Sequence, residues 1–214
     1  MSVIAPAILV ETPDAYKEMI ERLHGFAERV HIDVSDGEFA PTFTVGAAQL
    51  WWPQEWTVDI HAMVARPSEH LETLISLKPN MIIFHAEASE DVLPVLQHVK
   101  KFGIKAGLAL LRPTVPSTVA AVIQEADHVM IFSGDLGKYG GTASMMQLEK
   151  VRLIRAIKPE VEIGWDGGVN AENAYSVAQG GVDVLNVGKT IATADDPKSV
   201  YATLVSEINK HGVL

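Results

Sequence analysis

The chain has 214 residues, 48% of them hydrophobic, with a formal net charge of -10 and no cysteine. That size and apolar share suit one domain over 1–214 with a full core, and the acidic balance without clustered Lys or Arg argues against a nucleic-acid or anionic-membrane partner. The missing cysteines exclude disulfides and thiolate metal sites, so any metal must be held by His and carboxylate.

The N-terminal MSVIAPAILVETPD lacks a basic n-region, and no run approaches the roughly 18 apolar residues of a membrane span; a cytoplasmic protein is expected. In chain order, short β-branched runs predict strands over 4–10, 29–36, 57–64, 81–88, 105–111, 128–134, 162–168 and 182–188. Segments of helical period alternate with them: TPDAYKEMIERLHGF, PSEHLETLISL, SEDVLPVLQHVKKF, VPSTVAAVIQEA, SMMQLEKVRLIRAIK, NAENAYSVAQ and DPKSVYATLVSEINK. Several open on a Ser, Thr, Asp or Asn in capping position. The second crossover, GEFAPTFTVGAAQLWWPQEW, reads as loop with one short helical piece. Strict strand–helix alternation implies a parallel sheet, and eight repeats close naturally into a (β/α)8 TIM barrel. An open doubly wound sheet is the structural alternative.

Barrel chemistry sits at the C-terminal strand ends, so the polar residues there are the candidates. The second strand carries His31 and Asp33, the third Asp59, His61 and Met63, the fourth His85 and Glu87, and the seventh Asp166. Period-2 alternation puts His31, Asp33 and Ser35 on one face and Asp36 on the other, where Asp36 is expected to fix the following loop. These groups leave two readings: hydrogen-bonded polar groups of the core, or two imidazoles and two carboxylates making an N2O2 site for Zn²⁺, Mn²⁺ or Fe²⁺. Trp51, Trp52, Met145 and Met146 read as packing residues. Met63 shares a strand face with His61 and could exclude water from a bound ligand.

Glycines follow the last three strands in SGDLGKYGGTAS, WDGGVN and NVGKTIA. Each pair could be a turn or a helix cap. Placed after barrel strands, with Lys189 adding positive charge, they could instead cradle a phosphate on backbone N–H groups.

In IAPAIL, HIDVSDGEFAPTFTVG, DIHAMV, FHAEA, WDGGVN and VGKTIATADDP, in that order, the sequence resembles the ribulose-phosphate 3-epimerase family over essentially its whole length. The resemblance implies one divalent metal ion held by His31, Asp33, His61 and Asp166, with Asp33 and Asp166 also the catalytic acid/base pair. It implies a small phosphorylated sugar as substrate, touching His61 and Met63, with phosphate bound around Gly140, Gly141, Gly167, Gly168, Gly188 and Lys189. It also implies a homo-oligomer. Inverting a carbon next to a ketone requires proton removal on one face and delivery on the other, so two groups must flank the substrate. A divalent cation stabilises the cis-enediolate between those steps. Strands two and seven are expected on opposite sides of the barrel.

The sequence departs from the family pattern at Ala7, where a Ser is usual, at Ser35 and Phe132, where Met is usual, and in the long loop six, SGDLGKYGGTAS. A related ketose phosphate, such as a hexulose 6-phosphate, is therefore open as substrate. Two further readings compete: a phosphate-binding barrel decarboxylase or aldolase, and a non-catalytic metal- and sugar-phosphate-binding barrel. The first would need Asp-x-Lys-x-x-Asp where this chain has DIHAMV.

Overall fold

The computed structural model describes residues 2–138 and 140–210; Tyr139, within the expected loop six, lies outside them. Eight parallel strands close into a barrel in sequence order. They are β1 (Val3–Ile8), β2 (Arg29–Ser35), β3 (Thr57–Met63), β4 (Met81–His85), β5 (Lys105–Leu110), β6 (His128–Phe132), β7 (Glu162–Asp166) and β8 (Val184–Val187). The helices are α1 (Pro13–Leu23), α2 (Pro67–Ser76), α3 (Val92–Lys101), α4 (Ala120–Glu125), α5 (Glu149–Ile157), α6 (Ala174–Gln179), α7 (Lys189–Ala192) and α8 (Pro197–Ile208). The expected (β/α)8 barrel is thus the observed one. Among the described residues, no helix is long and apolar enough to cross a membrane.

Local chemistry explains most boundaries. Thr12 caps α1, its hydroxyl accepting from the Ala15 N–H at 3.3 Å, and Pro13 follows at the first helical turn. Asp91 and Asp196 cap α3 and α8 in the same way, accepting from Leu93 and Ser199. The start of α2 departs from the expected pattern. Arg66 stands at its cap without a side-chain bond, while Ser68 gives its N–H and hydroxyl to Glu90 at 3.0 and 2.7 Å. A carboxylate from the loop between β4 and α3 therefore does the capping there. The strands end one to three residues before the sequence runs do, because polar groups peel the chain away. Asp36 is the clearest case: its carboxylate accepts from the N–H groups of Glu38, Phe39 and Ala65 at 2.8, 2.8 and 2.7 Å. The short α7 was not expected.

Because both faces of a parallel sheet are covered, two apolar layers form. The larger lies between strands and helices, where Val30, Ile32, Ile60 and Trp165 pack with Leu23, Leu74 and Leu96. The smaller fills the barrel interior with Met81, Ile83, Ala109, Met130 and Phe132. Glycine makes room for that filling. A Cβ on Gly107 would lie 2.6 Å from Ile83 Cγ1, and one on Gly164 would lie 2.4 Å from His128 Nε2.

Below this apolar layer the floor of the barrel is polar. Arg29 Nε donates to Asp59 at 2.6 Å, and its two terminal nitrogens hold Glu162 at 2.8 Å each. Asn80 donates to Asp59 at 2.7 Å, and His128 Nδ1 meets Glu162 at 2.7 Å. Asp59 was expected among the candidates at the barrel mouth. It sits instead one inward position below His61, in register with His31, as the partner of Arg29.

Removing one member of a buried ionic network strands the others. Arg29→Ala is expected to lower unfolding free energy by about 3 kcal/mol in urea titrations, leaving Asp59 and Glu162 without the guanidinium between them. Burial pushes the Glu162 carboxyl up, but the hydrogen bonds from Arg29 and His128 outweigh it and hold the group well below the usual carboxylate range. Its stabilisation is therefore fully present above the unfolded-state value of about 4.3 and is lost as the pH falls below it. Urea midpoints measured from pH 6 to pH 3 should fall less steeply for Glu162→Gln than for the wild type.

Candidate functional site

At the opposite end of the barrel the inward positions of β2, β3 and β7 converge. The register pairs Asp33 with His61 across β2 and β3, and Phe132 with Asp166 across β6 and β7. One nitrogen or oxygen from each of His31, Asp33, His61 and Asp166 lies within 4.8 Å of the others. Asp33 Oδ1 is the hub, 2.7 Å from His61 Nδ1 and 3.3 Å from His31 Nε2. Asp166 Oδ2 stands back at 3.8 Å from His61 Nδ1 and 3.9 Å from His31 Nε2. Strands β2 and β7 face each other across the barrel, close to the opposite placement expected. With β1 and β8 between them they stand three steps apart, one short of diametrically opposite, and their inward side chains bring the two carboxylates together over the barrel mouth.

The four groups fit a divalent cation. His31 Nε2 is buried without a hydrogen-bond partner and is aimed at two carboxylates, leaving a lone pair or a proton unsatisfied. Two imidazole nitrogens and two carboxylate oxygens are the donor set of Zn²⁺, Mn²⁺ or Fe²⁺, and the group could hold such an ion.

The same crowding separates the proton affinities of the two aspartates. Burial raises both. For Asp33 the adjacent His31 and His61 side chains reverse that and hold it well below the usual carboxylate range. Asp166 stays raised, because burial and the Asp33 charge outweigh the attraction of His31 and His61. Burial would lower His31, yet the adjacent Asp33 and Asp166 charges raise it on balance.

A second rank of groups stands behind His61. Its Nε2 faces His85 Nε2 at 2.8 Å, and His85 Nδ1 lies 3.3 Å from Glu87. His85 is pushed down to about 4, chiefly by burial. Its ring lies between Phe39, at 4.6 Å, and Phe132, at 5.8 Å. His85 and Glu87 are thus not in the four-residue cluster but buttress it.

Beside the cluster opens a cavity of about 260 Å³ lined by Ala7, Met63, Phe132, Asp33 and Asp166 and by the loops after β6, β7 and β8. Gly140, Gly141, Gly167, Gly168, Gly188 and Lys189 all line it, so the residues expected around a phosphate share one cavity with both aspartates. Part of the demand for glycine there is internal packing. At Gly167 (φ 100°) a Cβ would lie 2.1 Å from the Gly134 nitrogen, and at Gly168 (φ 75°) 2.2 Å from that of Ala143. Both ends of loop six rest on the glycine pair that ends β7. Farther along that loop, the Thr42 hydroxyl donates to the Gly137 carbonyl at 2.6 Å, tying it to the loop after β2. Ser35 is buried, its hydroxyl without a partner, and Thr44 Oγ1 accepts from its N–H.

Sequence reasoning missed Asn186, Asn170, Thr190, Asp135 and Lys138, which also line the cavity. Asn186 had a signal: it is a polar residue on a buried strand, in register with Asp166. Asn170 and Thr190 stood inside WDGGVN and NVGKTIA, whereas Asp135 and Lys138 had no signal, because their approach depends on how loop six folds back.

A family model described as the ribulose-phosphate 3 epimerase family matches residues 3–192. Among curated relatives, the Escherichia coli K12 ribulose-phosphate 3-epimerase is 30% identical over 217 residues, covering 97% of this chain and 96% of its own. The Helicobacter pylori enzyme of the same name is 31% identical over 202 residues, covering 91% and 93%. Among solved structures, a 3-hexulose-6-phosphate synthase superposes with a TM-score of 0.75 at 15% identity, covering 96% of this chain and 99% of its own. The orotidine 5'-phosphate decarboxylase of Pyrococcus horikoshii gives 0.70 at 15% identity, covering 98% and 100%. At that identity these two speak for the fold alone. The sequence match over most of the chain goes further: the chain belongs to the ribulose-phosphate 3-epimerase family, isomerases acting on carbohydrates.

Proposed function

We propose that this chain is a metal-dependent epimerase inverting C3 of a ketose phosphate, with D-ribulose 5-phosphate and D-xylulose 5-phosphate as the first candidates. The observation that carries the reading is the pair Asp33 and Asp166, two carboxylates on one cavity with proton affinities driven in opposite directions. Epimerisation needs two groups so placed: one takes the C3 proton while the other delivers a proton to the opposite face. Asp33, with the lower proton affinity, suits the base; Asp166, with the higher, suits the acid, and the reverse reaction exchanges the roles.

His31, Asp33, His61 and Asp166 would hold the divalent ion. When bound, it would supply positive charge next to the ketone and hydroxyl oxygens, where negative charge develops. Met63 and Phe132 would keep water off the reacting carbon. The phosphate would lie against Lys189 and the backbone around Gly140, Gly141, Gly167, Gly168 and Gly188. Relatives named ribulose-phosphate 3-epimerase support the pentulose. Ala7 and the long loop six lie on the same cavity and keep a hexulose 6-phosphate among the candidates to assay. Decarboxylase or aldolase chemistry of the Asp-x-Lys-x-x-Asp type finds no support, since His61 and Val64 stand where its lysine and second aspartate would be.

Proton NMR of D-ribulose 5-phosphate in D2O with the enzyme should show loss of the C3 hydrogen. Asp33→Asn and Asp166→Asn should each slow this exchange by about 10²–10⁴-fold with an unchanged circular dichroism spectrum. Retained exchange in either variant would remove that residue from the acid/base pair. Treatment with a chelator should abolish exchange, and adding back Zn²⁺, Mn²⁺ or Fe²⁺ should restore it. If exchange survives complete metal removal, the metal-dependent part of the reading fails.

A further inference from the structure

Behind the candidate metal cluster, two imidazoles meet in a way that leaves a proton's position to be decided elsewhere. His61 Nε2 and His85 Nε2 are 2.8 Å apart, a hydrogen bond only if one nitrogen carries a proton and the other does not. Both side chains are fully buried, and Phe39 and Phe132 flank the His85 ring, so surrounding water does not settle the choice. The far end of His85 does. Its Nδ1 lies 3.3 Å from Glu87 Oε2, while Glu87 Oε1 accepts from the Leu111 N–H at 2.9 Å and from the Thr114 hydroxyl. The Leu111 end is itself pinned, since Lys150 Nζ donates to the carbonyls of Leu111 and Arg112 at 2.6 and 3.1 Å.

We propose that Glu87 is a positioning residue that, acting through His85, fixes His61 in the tautomer whose Nδ1 lone pair is open toward Asp33 and Asp166. A carboxylate only accepts, so His85 Nδ1 carries the proton and its Nε2 is bare. The bare nitrogen accepts from His61 Nε2–H, which leaves His61 Nδ1 unprotonated, 2.7 Å from Asp33 Oδ1 and 3.8 Å from Asp166 Oδ2. A lone pair facing a carboxylate is repulsive until a cation lies between them. The opposite tautomer would donate from Nδ1 straight to Asp33 and close the cluster as an ordinary hydrogen-bonded pair. Glu87 thus decides between a site that accepts a cation and one that is plugged by its own proton. The assignment rests on the metal-site reading above and adds to it the residue that sets the ligand's protonation pattern.

Glu87→Gln tests this with almost no change of shape. The amide oxygen would keep the two donors Leu111 and Thr114, so the amide nitrogen would turn to His85 Nδ1 and donate to it. His85 would then carry its proton on Nε2, and His61 on Nδ1. Long-range ¹⁵N–¹H correlation spectra of the Zn²⁺-loaded wild type should show protons on His85 Nδ1 and His61 Nε2. Zn²⁺ affinity, read by competition with a chromophoric chelator, should fall about 10- to 100-fold in Glu87→Gln. The metal-free proteins should melt at similar temperatures. A wild-type spectrum with the proton on His85 Nε2 overturns the assignment without reference to any variant. So does unchanged Zn²⁺ affinity in a folded Glu87→Gln, or a loss matched by an equal loss of metal-free stability. A wild type that binds no Zn²⁺ at all would instead sink the metal site and the assignment with it.

Discussion

The Asp33 carboxylate is the constraint around which the rest of the barrel mouth is arranged. It is only 8% exposed, and an ionised carboxylate cannot be left in such a place without compensation. His31 from the same strand and His61 from the next stand against it, a cation held among them would complete the compensation, and each imidazole needs a partner for its own second nitrogen. For His61 that demand runs outward through His85 to Glu87 and ends on the backbone at the exit of β5. One buried charge thus organises residues from β2 to β5. Asp166, arriving across the barrel mouth from β7, meets a site already negative and is left with the higher proton affinity.

Much of this was legible because strand periodicity is unforgiving. Inward residues recur every second position, so His31 with Asp33, and Asp59 with His61, had to share faces, and eight such strands leave few topologies. Depth along the strand was not legible in the same way. Asp59 and His61 look equivalent in DIHAMV, yet one belongs to the floor and the other to the mouth, because two residues along a strand span a whole layer of the interior. The capping of α2 by Glu90 was hidden too, since the acceptor comes from another βα unit.

Loop six was the least legible element. Its glycines suggested a ligand, and they do line the cavity, but Gly167 and Gly168 also have no space for a side chain because the loop's own backbone rests on them. A glycine next to a ligand site can answer to two demands at once, and composition does not separate them. The solved structures that share the fold at 15% identity teach a parallel lesson. Their names cover different reactions, so the barrel alone does not select the chemistry; side chains such as His61 and Asp166 do.

The polar floor has a consequence for traffic. Among the described residues, Arg29, Asp59, Glu162 and His128 close the bottom of the barrel beneath a packed apolar layer, so the cavity is a blind well that opens among the loops above. Whatever enters must leave by the way it came. Two sugars of nearly identical shape, differing at a single carbon, would therefore queue at the same door, and neither direction of the reaction would have a private exit.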